Sequence, residues 1–173
     1  MANIDLLIPK ILKWEGGYSN IAEDRGGPTN LGITLENWKL YGYDKDGDGD
    51  IDVDDIKILN VKDFKPFLKK LYWDRWSADL IANQSVADIL VDWCYNSGAW
   101  GVKIPQKLLG TTIDGQAGPV TIGILNKQNQ QSFFNQVWKA RQDFYNNIVK
   151  RSPEQKIFLK GWLARLNDYT FKP

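Results

Sequence analysis

Residues 44–55 read Asp44-Lys45-Asp46-Gly47-Asp48-Gly49-Asp50-Ile51-Asp52-Val53-Asp54-Asp55, seven aspartates against one lysine and a net charge of −6. No apolar core accepts such a run, so it must be a surface loop between better-packed elements. Numbered as a twelve-residue calcium loop, it has Asp at positions one, three, five, seven, nine and twelve, Gly49 at six where the chain turns sharply, and Ile51 at eight. Asp44, Asp46, Asp48, Asp52 and Asp55 would offer carboxylates, and Asp50 its main-chain carbonyl. Helical patterns over about 34–41 and 53–59 flank the loop, as this motif requires. A single loop with no second copy reads as a structural clip for calcium, with the ion outside the chemistry.

A second stretch constrains function. Ile4, Leu7, Ile8, Ile11 and Leu12 fall at helical spacing after Asn3 as N-cap; Pro9 should kink that helix or mark its start, and Gly16-Gly17 should end it. Glu15 then stands at the foot of the helix within Trp14-Glu15-Gly16-Gly17-Tyr18. Asp24 follows nine residues later, in a segment too rich in Gly, Pro and Asn to stay helical. A helix end and a folded-back loop can bring two carboxylates together, the pair that glycoside hydrolysis needs. Negative potential at the helix end, with Trp14 and Tyr18 stripping water, favours a protonated Glu15; Asp24 beside Arg25 should stay ionised.

The 173 residues, 43% hydrophobic, allow one good core or a main domain with a small satellite. With no histidine, Ser/His/Asp, Cys/His and His-metal chemistries are excluded. The lone Cys94 forbids an intramolecular disulfide and lies in an apolar stripe, where it should be buried. Residues 101–173 hold eleven Lys/Arg against four acids, a net of +7, which suits an anionic partner such as a wall polymer; no nucleic-acid recognition motif accompanies it. The N-terminus lacks a signal-peptide profile and no apolar run approaches ~18 residues. The expectation is therefore a protein that is not integral to a membrane, made in the cytoplasm and released to its site of action by a holin-type or other export route; a monomer is the default.

Further helices are expected from Thr34 to Tyr41, from Asp63 as cap to Trp73, and from Ser85 to Gly98. Others should cover 99–110 (broken at Pro105), 119–126 and 131–150, with a last one opened by a capping box at Ser152. Tyr72-Trp73 is either core or a platform for a sugar ring, and Asn96 sits at a helix terminus where its amide could face a cleft.

Glu15-Gly16-Gly17-Tyr18-x-Asn20, with Asp24, Gly26-Gly27, Thr29 and Gly32-Ile33-Thr34, closely resembles the N-acetylmuramidases of glycoside hydrolase family 108, lysozyme-like proteins of bacteria and phages often labelled secretion activators. Tyr72-Trp73 and Asp92-x-x-x-Asn96-x-Gly98 are similar to the same family. Asp114-Gly115-x-x-Gly118-Pro119-x-Thr121 and Gly161-Trp162-x-x-Arg165 resemble its C-terminal peptidoglycan-binding domain. The resemblance implies a mainly α fold: a lysozyme-like domain over 1–98 with a small turn- and β-rich segment after the first helix, and a helical peptidoglycan-binding region over 99–173. It implies Glu15 as general acid, Asp24 and Thr29 as catalytic partners, Tyr18, Asn20, Tyr72, Trp73 and Asn96 near substrate, and no organic cofactor. Related phage lysozymes place Thr one residue further from the Asp than Thr29 stands here. The implied activity is cleavage of β-1,4 bonds in peptidoglycan, as in an endolysin. A lytic transglycosylase and a non-hydrolytic wall-binding or secretion-accessory protein are the other two readings.

Overall fold

The structure is a computed structural model and describes residues 1–19 and 28–173. The fold is mainly helical with a small two-stranded sheet, and the chain divides into two units, residues 4–71 and residues 1–3 with 72–173.

In the unit of residues 4–71, helix α1 (Ile4–Leu12) buries Ile4, Leu7, Ile8 and Ile11. It runs through Pro9 but stops at Leu12, earlier than the glycine pair suggests. Lys13 and Trp14 only turn off its end, their amides donating to Pro9 and Ile11. Strands β1 (Thr29–Asn30) and β2 (Ile33–Thr34) form an antiparallel hairpin pairing Thr29 with Thr34 and Asn30 with Ile33. Its two linking residues, Leu31 and Gly32, have φ of 53° and 74°, the positive values a tight hairpin turn of this twist needs. Thr34 then caps α2 (Leu35–Tyr41), accepting from the Asn37 amide at 3.2 Å. Trp38 on α2 is buried, and its ring passes so close to Gly42 that a Cβ there would lie 2.2 Å from it.

The acidic loop leads into α3 (Val53–Lys57) and then α4 (Val61–Leu68), both opened by capping boxes. On α4 the cap is Asn60, and Asp63 is its reciprocal partner three residues in, a correction to the expected cap at Asp63. The helix stops at Leu68 and gives way to a π-helical turn, Lys69–Trp73.

In the other unit, α5 (Gln84–Ser97) is buried at every position from Ser85 to Cys94, so it is a core helix with no polar face along that stretch. Its cap is Asn83 rather than Ser85. Helix α6 (Trp100–Leu109) crosses it at Gly101, where a Cβ would meet the Cys94 backbone at 2.4 Å; only glycine permits that approach. This packing carries α6 unbroken through Pro105, contrary to the expected break, and Gly110 ends it in the left-handed region. Helices α7 (Pro119–Lys127), α8 (Gln130–Arg151) and α9 (Lys156–Asn167) complete the unit. Ser152 makes no side-chain cap; Pro153–Gln155 form a 3-10 turn before α9, so the capping box expected there is absent.

Three helices meet at a buried ion cluster. Asp92 on α5 accepts from Arg141 of α8 (2.7 Å) and from Arg165 of α9 (2.6 Å), and Asp92 and Arg141 are wholly buried. Burial opposes the Asp92 charge, but the two guanidinium groups prevail and hold its carboxyl below the usual carboxylate range. Cys94 is buried as expected, and burial pushes its thiol up to about 11.

Candidate active site

Glu15 lies three residues beyond the end of α1 in a bend, half-buried, rather than on the helix itself. Trp14 beside it is covered by the Lys13 ammonium 5.4 Å from the ring centroid, and Tyr18 is exposed. The chain is then fastened to the hairpin: Ser19 and Thr29 exchange both backbone hydrogen bonds at 2.8 Å in an antiparallel bridge. Glu15 therefore sits on a short arm whose far end is an added edge of the β1–β2 sheet, four residues away. Thr29 thus has its main chain committed to the arm. Asp24 and Asn20 lie outside the described residues.

The hairpin is anchored in turn. Asn30 is buried, and its amide donates to the carbonyl of Ile56 at 2.8 Å and to those of Lys57 and Leu59 at 3.4 Å. These oxygens belong to the last two residues of α3 and the turn after it, where helical pairing gives out. One side chain thereby ties the strand carrying Thr29 to the helix that follows the acidic loop. Sequence reasoning singled out the glycines around Asn30 and passed over Asn30 itself.

In the acidic loop, one carboxylate oxygen each of Asp44, Asp46 and Asp48 lie within 4.8 Å of one another, a spacing one cation could bridge. Asp44 also accepts from the amides of Gly47 (2.6 Å) and Gly49 (2.9 Å), which sets the turn. Asp46 is raised by burial and by the charges of Asp48, Asp55 and Asp44; Asp50 is raised mainly by Asp48. Mutual repulsion of this kind is what a bound cation would relieve. Asp55 differs from them. It is buried and accepts from the amides of Lys45, Asp46 and Asp52, the last at 2.9 Å. Burial works against its charge, but these backbone donors win and its carboxyl falls below the usual range. Entry to the loop is pinned by Asp63, which accepts from the Tyr43 hydroxyl (2.7 Å) and binds the Lys45 ammonium (2.8 Å).

The remaining candidates belong to the other unit. Tyr72 is half-buried and meets Tyr95 edge-on, ring centroids 5.0 Å apart. Asn96 is exposed on the last turn of α5, its amide donating back to the Asp92 carbonyl at 2.8 Å. Trp73 is wholly buried and its indole N–H donates to Asp79 at 2.8 Å. A ring closed off in this way cannot stack on a sugar, so Trp73 is core and the expected platform there is corrected.

The mainly α fold with a small hairpin after the first helix is that of a lysozyme-like protein. The chain belongs to glycosyl hydrolase family 108, whose model matches residues 8–98, and residues 100–167 match the model described as the predicted peptidoglycan domain. Among solved structures it is similar to SagA of Brucella abortus, at 27% identity and a TM-score of 0.75 over 95% of this chain and 90% of that one. No curated protein matches the chain. The two family matches meet near residue 99, whereas the two structural units divide after residue 71, because α5 packs with α6.

Proposed function

We propose that this glycoside hydrolase is an N-acetylmuramidase that cleaves the β-1,4 bonds of bacterial peptidoglycan, with Glu15 as its general acid. The observation that carries the reading is the Ser19–Thr29 bridge, which holds the short Glu15 arm against the hairpin of a family 108 domain. Glu15 would protonate the glycosidic oxygen leaving N-acetylmuramic acid. Asp24 would activate water or stabilise the oxocarbenium-like state. Tyr18, exposed on the same arm, is proposed to border the sugar, with Tyr72 and Asn96 as further substrate residues.

Calcium is proposed as a structural ion held by the side chains of Asp44, Asp46, Asp48 and Asp52 and the main-chain carbonyl of Asp50. The twelve-residue spacing and the convergence of three carboxylates support it. Asp55 would join through whatever acceptor capacity its backbone donors leave. When bound, the ion would supply charge neutralisation to the loop and nothing to the reaction. The protein is proposed to act at the wall as a monomer after release; no helix among the described residues is long and apolar enough to cross a membrane.

The test is turbidity loss of purified peptidoglycan with wild type and Glu15→Gln, products read by mass spectrometry. The expected result is clearing by wild type, a reducing N-acetylmuramic acid end, and a loss of about 10²–10⁴-fold in the variant. An anhydro sugar would mean a lytic transglycosylase. Binding without any product would make the chain a wall-binding protein.

A further inference from the structure

The arm that carries Glu15 is attached at both ends. On the helix side the Trp14 amide donates to the Ile11 carbonyl at 2.9 Å, and on the hairpin side Ser19 is bonded to Thr29. Gly16 and Gly17 between them are exposed and have no side chain with which to grip a neighbour; a Cβ on either would meet nothing within 4 Å. The edge of the hairpin therefore decides how the arm runs on from α1.

The hairpin must itself be placed. Its strands have two residues each, too few to fix their own position against the rest of the unit. On β2, Ile33 is wholly buried and α2 follows directly. On β1, the strand that bonds the arm, the tie is the buried Asn30 amide, shared by the carbonyls of Ile56, Lys57 and Leu59. What it grips is firm. Ile56 and Leu59 are buried, and the other end of α3 is closed by its capping box and by the Lys45 and Asp46 amides on Asp55. The Lys57 ammonium is raised first by its pair with Asp54 and further by the Tyr18 phenol, so the arm also runs beside the end of α3. Asn30 and Thr29 are neighbours in one strand, which puts the grip on α3 one residue from the bond to the arm.

We infer that Asn30 is a positioning residue of the active site: by fixing β1 on the end of α3 it sets where the Glu15 carboxyl meets the glycosidic oxygen. Asn30 touches no substrate and acts only through the arm. Placement matters because a shift of about 1 Å in a reacting group can cost about 10²-fold in rate. Without Asn30 the hairpin still has Ile33 and α2 to hold it, so the arm should lose its register while the unit keeps its fold. The inference rests on the reading of Glu15 as general acid.

Leaving-group dependence tests it, since a general acid matters only where the departing oxygen needs a proton. With the full chain, kcat/KM is measured on purified sacculi and on the dinitrophenyl β-glycoside of the N-acetylglucosaminyl–N-acetylmuramic acid disaccharide, whose phenolate leaves unprotonated. Glu15→Gln should lose sacculi and keep the aryl glycoside. Asn30→Ala should follow in weaker form, about 10–100-fold down on sacculi and within about 2-fold of wild type on the aryl glycoside. A merely structural role would lower both alike, through the fraction folded. Exchange of the Ser19 and Thr29 amides should quicken in Asn30→Ala while α5 stays protected. Should that variant fail to fold, Ser19→Pro removes the amide that donates to Thr29, leaves Asn30 on α3, and should give the same selective loss. Wild type that releases no product, or Glu15→Gln that clears sacculi as well as wild type, overturns the parent reading and this inference with it. Selective loss in Glu15→Gln, with equal loss on both substrates or none in the Asn30 and Ser19 variants, overturns this inference alone. Ser19 and Thr29 amides that exchange as slowly in Asn30→Ala as in wild type also overturn it, whichever substrate is cleaved.

Discussion

The two units are held by different kinds of polar contact. In residues 4–71, buried polar side chains bind the main chain: Asp55 takes three amides, Asn30 three carbonyls, and Asp63 the Asn60 amide along with Tyr43 and Lys45. In residues 72–173 the ties among α5, α8 and α9 join side chain to side chain, Asp92 to Arg141 and Arg165, within stacked aromatics, while Gln106, Arg75 and Ser77 bind main chain only at the loop before α7. Contacts to main chain fix loops, because a loop has unpaired amides and carbonyls to offer. Contacts between side chains fix helices, whose main chain is already satisfied. The first unit should therefore be the one tuned by ions, and the second the one broken by core substitutions.

The largest effect is expected at Asp92. Removing it takes the buried counter-charge from two arginines, and Asp92→Ala should cost about 3–5 kcal/mol in urea unfolding. Its pH dependence has a definite sign. The folded carboxyl titrates below its unfolded value, so its stabilisation is complete above about pH 4 and is lost as pH falls through the depressed folded value. Wild type should show that acid loss in melts, and a surviving Asp92 variant should show less of it. An unchanged acid slope would mean that the cluster does not control this unit.

Next in size is Asn30→Ala, which removes a buried donor shared by the carbonyls of Ile56, Lys57 and Leu59 and should cost about 1–3 kcal/mol. Hydrogen exchange should place the loss in residues 28–60, leaving α5 and α8 protected. Uniform loss across the chain would remove the distinction between the units.

Elements set by periodicity or local chemistry were legible in the sequence. The mainly helical fold, the Thr34 cap, the core helix ending at Gly98 and the stop at Gly110 all follow from spacing and turn residues. What the sequence hid depends on partners far along the chain. Nothing local to Asn30 points to Ile56, and nothing local to Asp92 points to Arg141 and Arg165, so a motif residue proved to be a structural ion. Pro105 read as a break because its cost is local, while the packing at Gly101 that carries the helix past it is not. Trp73 could be read as core or as a platform for the same reason: exposure is a property of the fold.

Calcium gives the third effect. At about 100 times the dissociation constant, binding to the folded loop alone adds about 2.7 kcal/mol. The melt should therefore rise by about 5–10 °C between EDTA and calcium for a chain of this size. Asp44→Ala should abolish the shift. A melt indifferent to calcium would leave the loop as an acidic turn closed by its own amides.

The smallest effect is expected from salt, and burial shows why. Of the eleven Lys/Arg in residues 101–173, Arg141 and Arg165 are buried against Asp92, which offsets one of their two charges and keeps both out of direct contact with a wall. Lys139 is engaged with Asp143 at 2.9 Å. Most of the charges left for an anionic wall are exposed, and the screening length shrinks from about 10 Å at 0.1 M salt to about 3 Å at 1 M. Wall binding should weaken several-fold over that range. Complete loss would make the second unit's binding electrostatic throughout, and an unchanged constant would leave its lysines without a part in it.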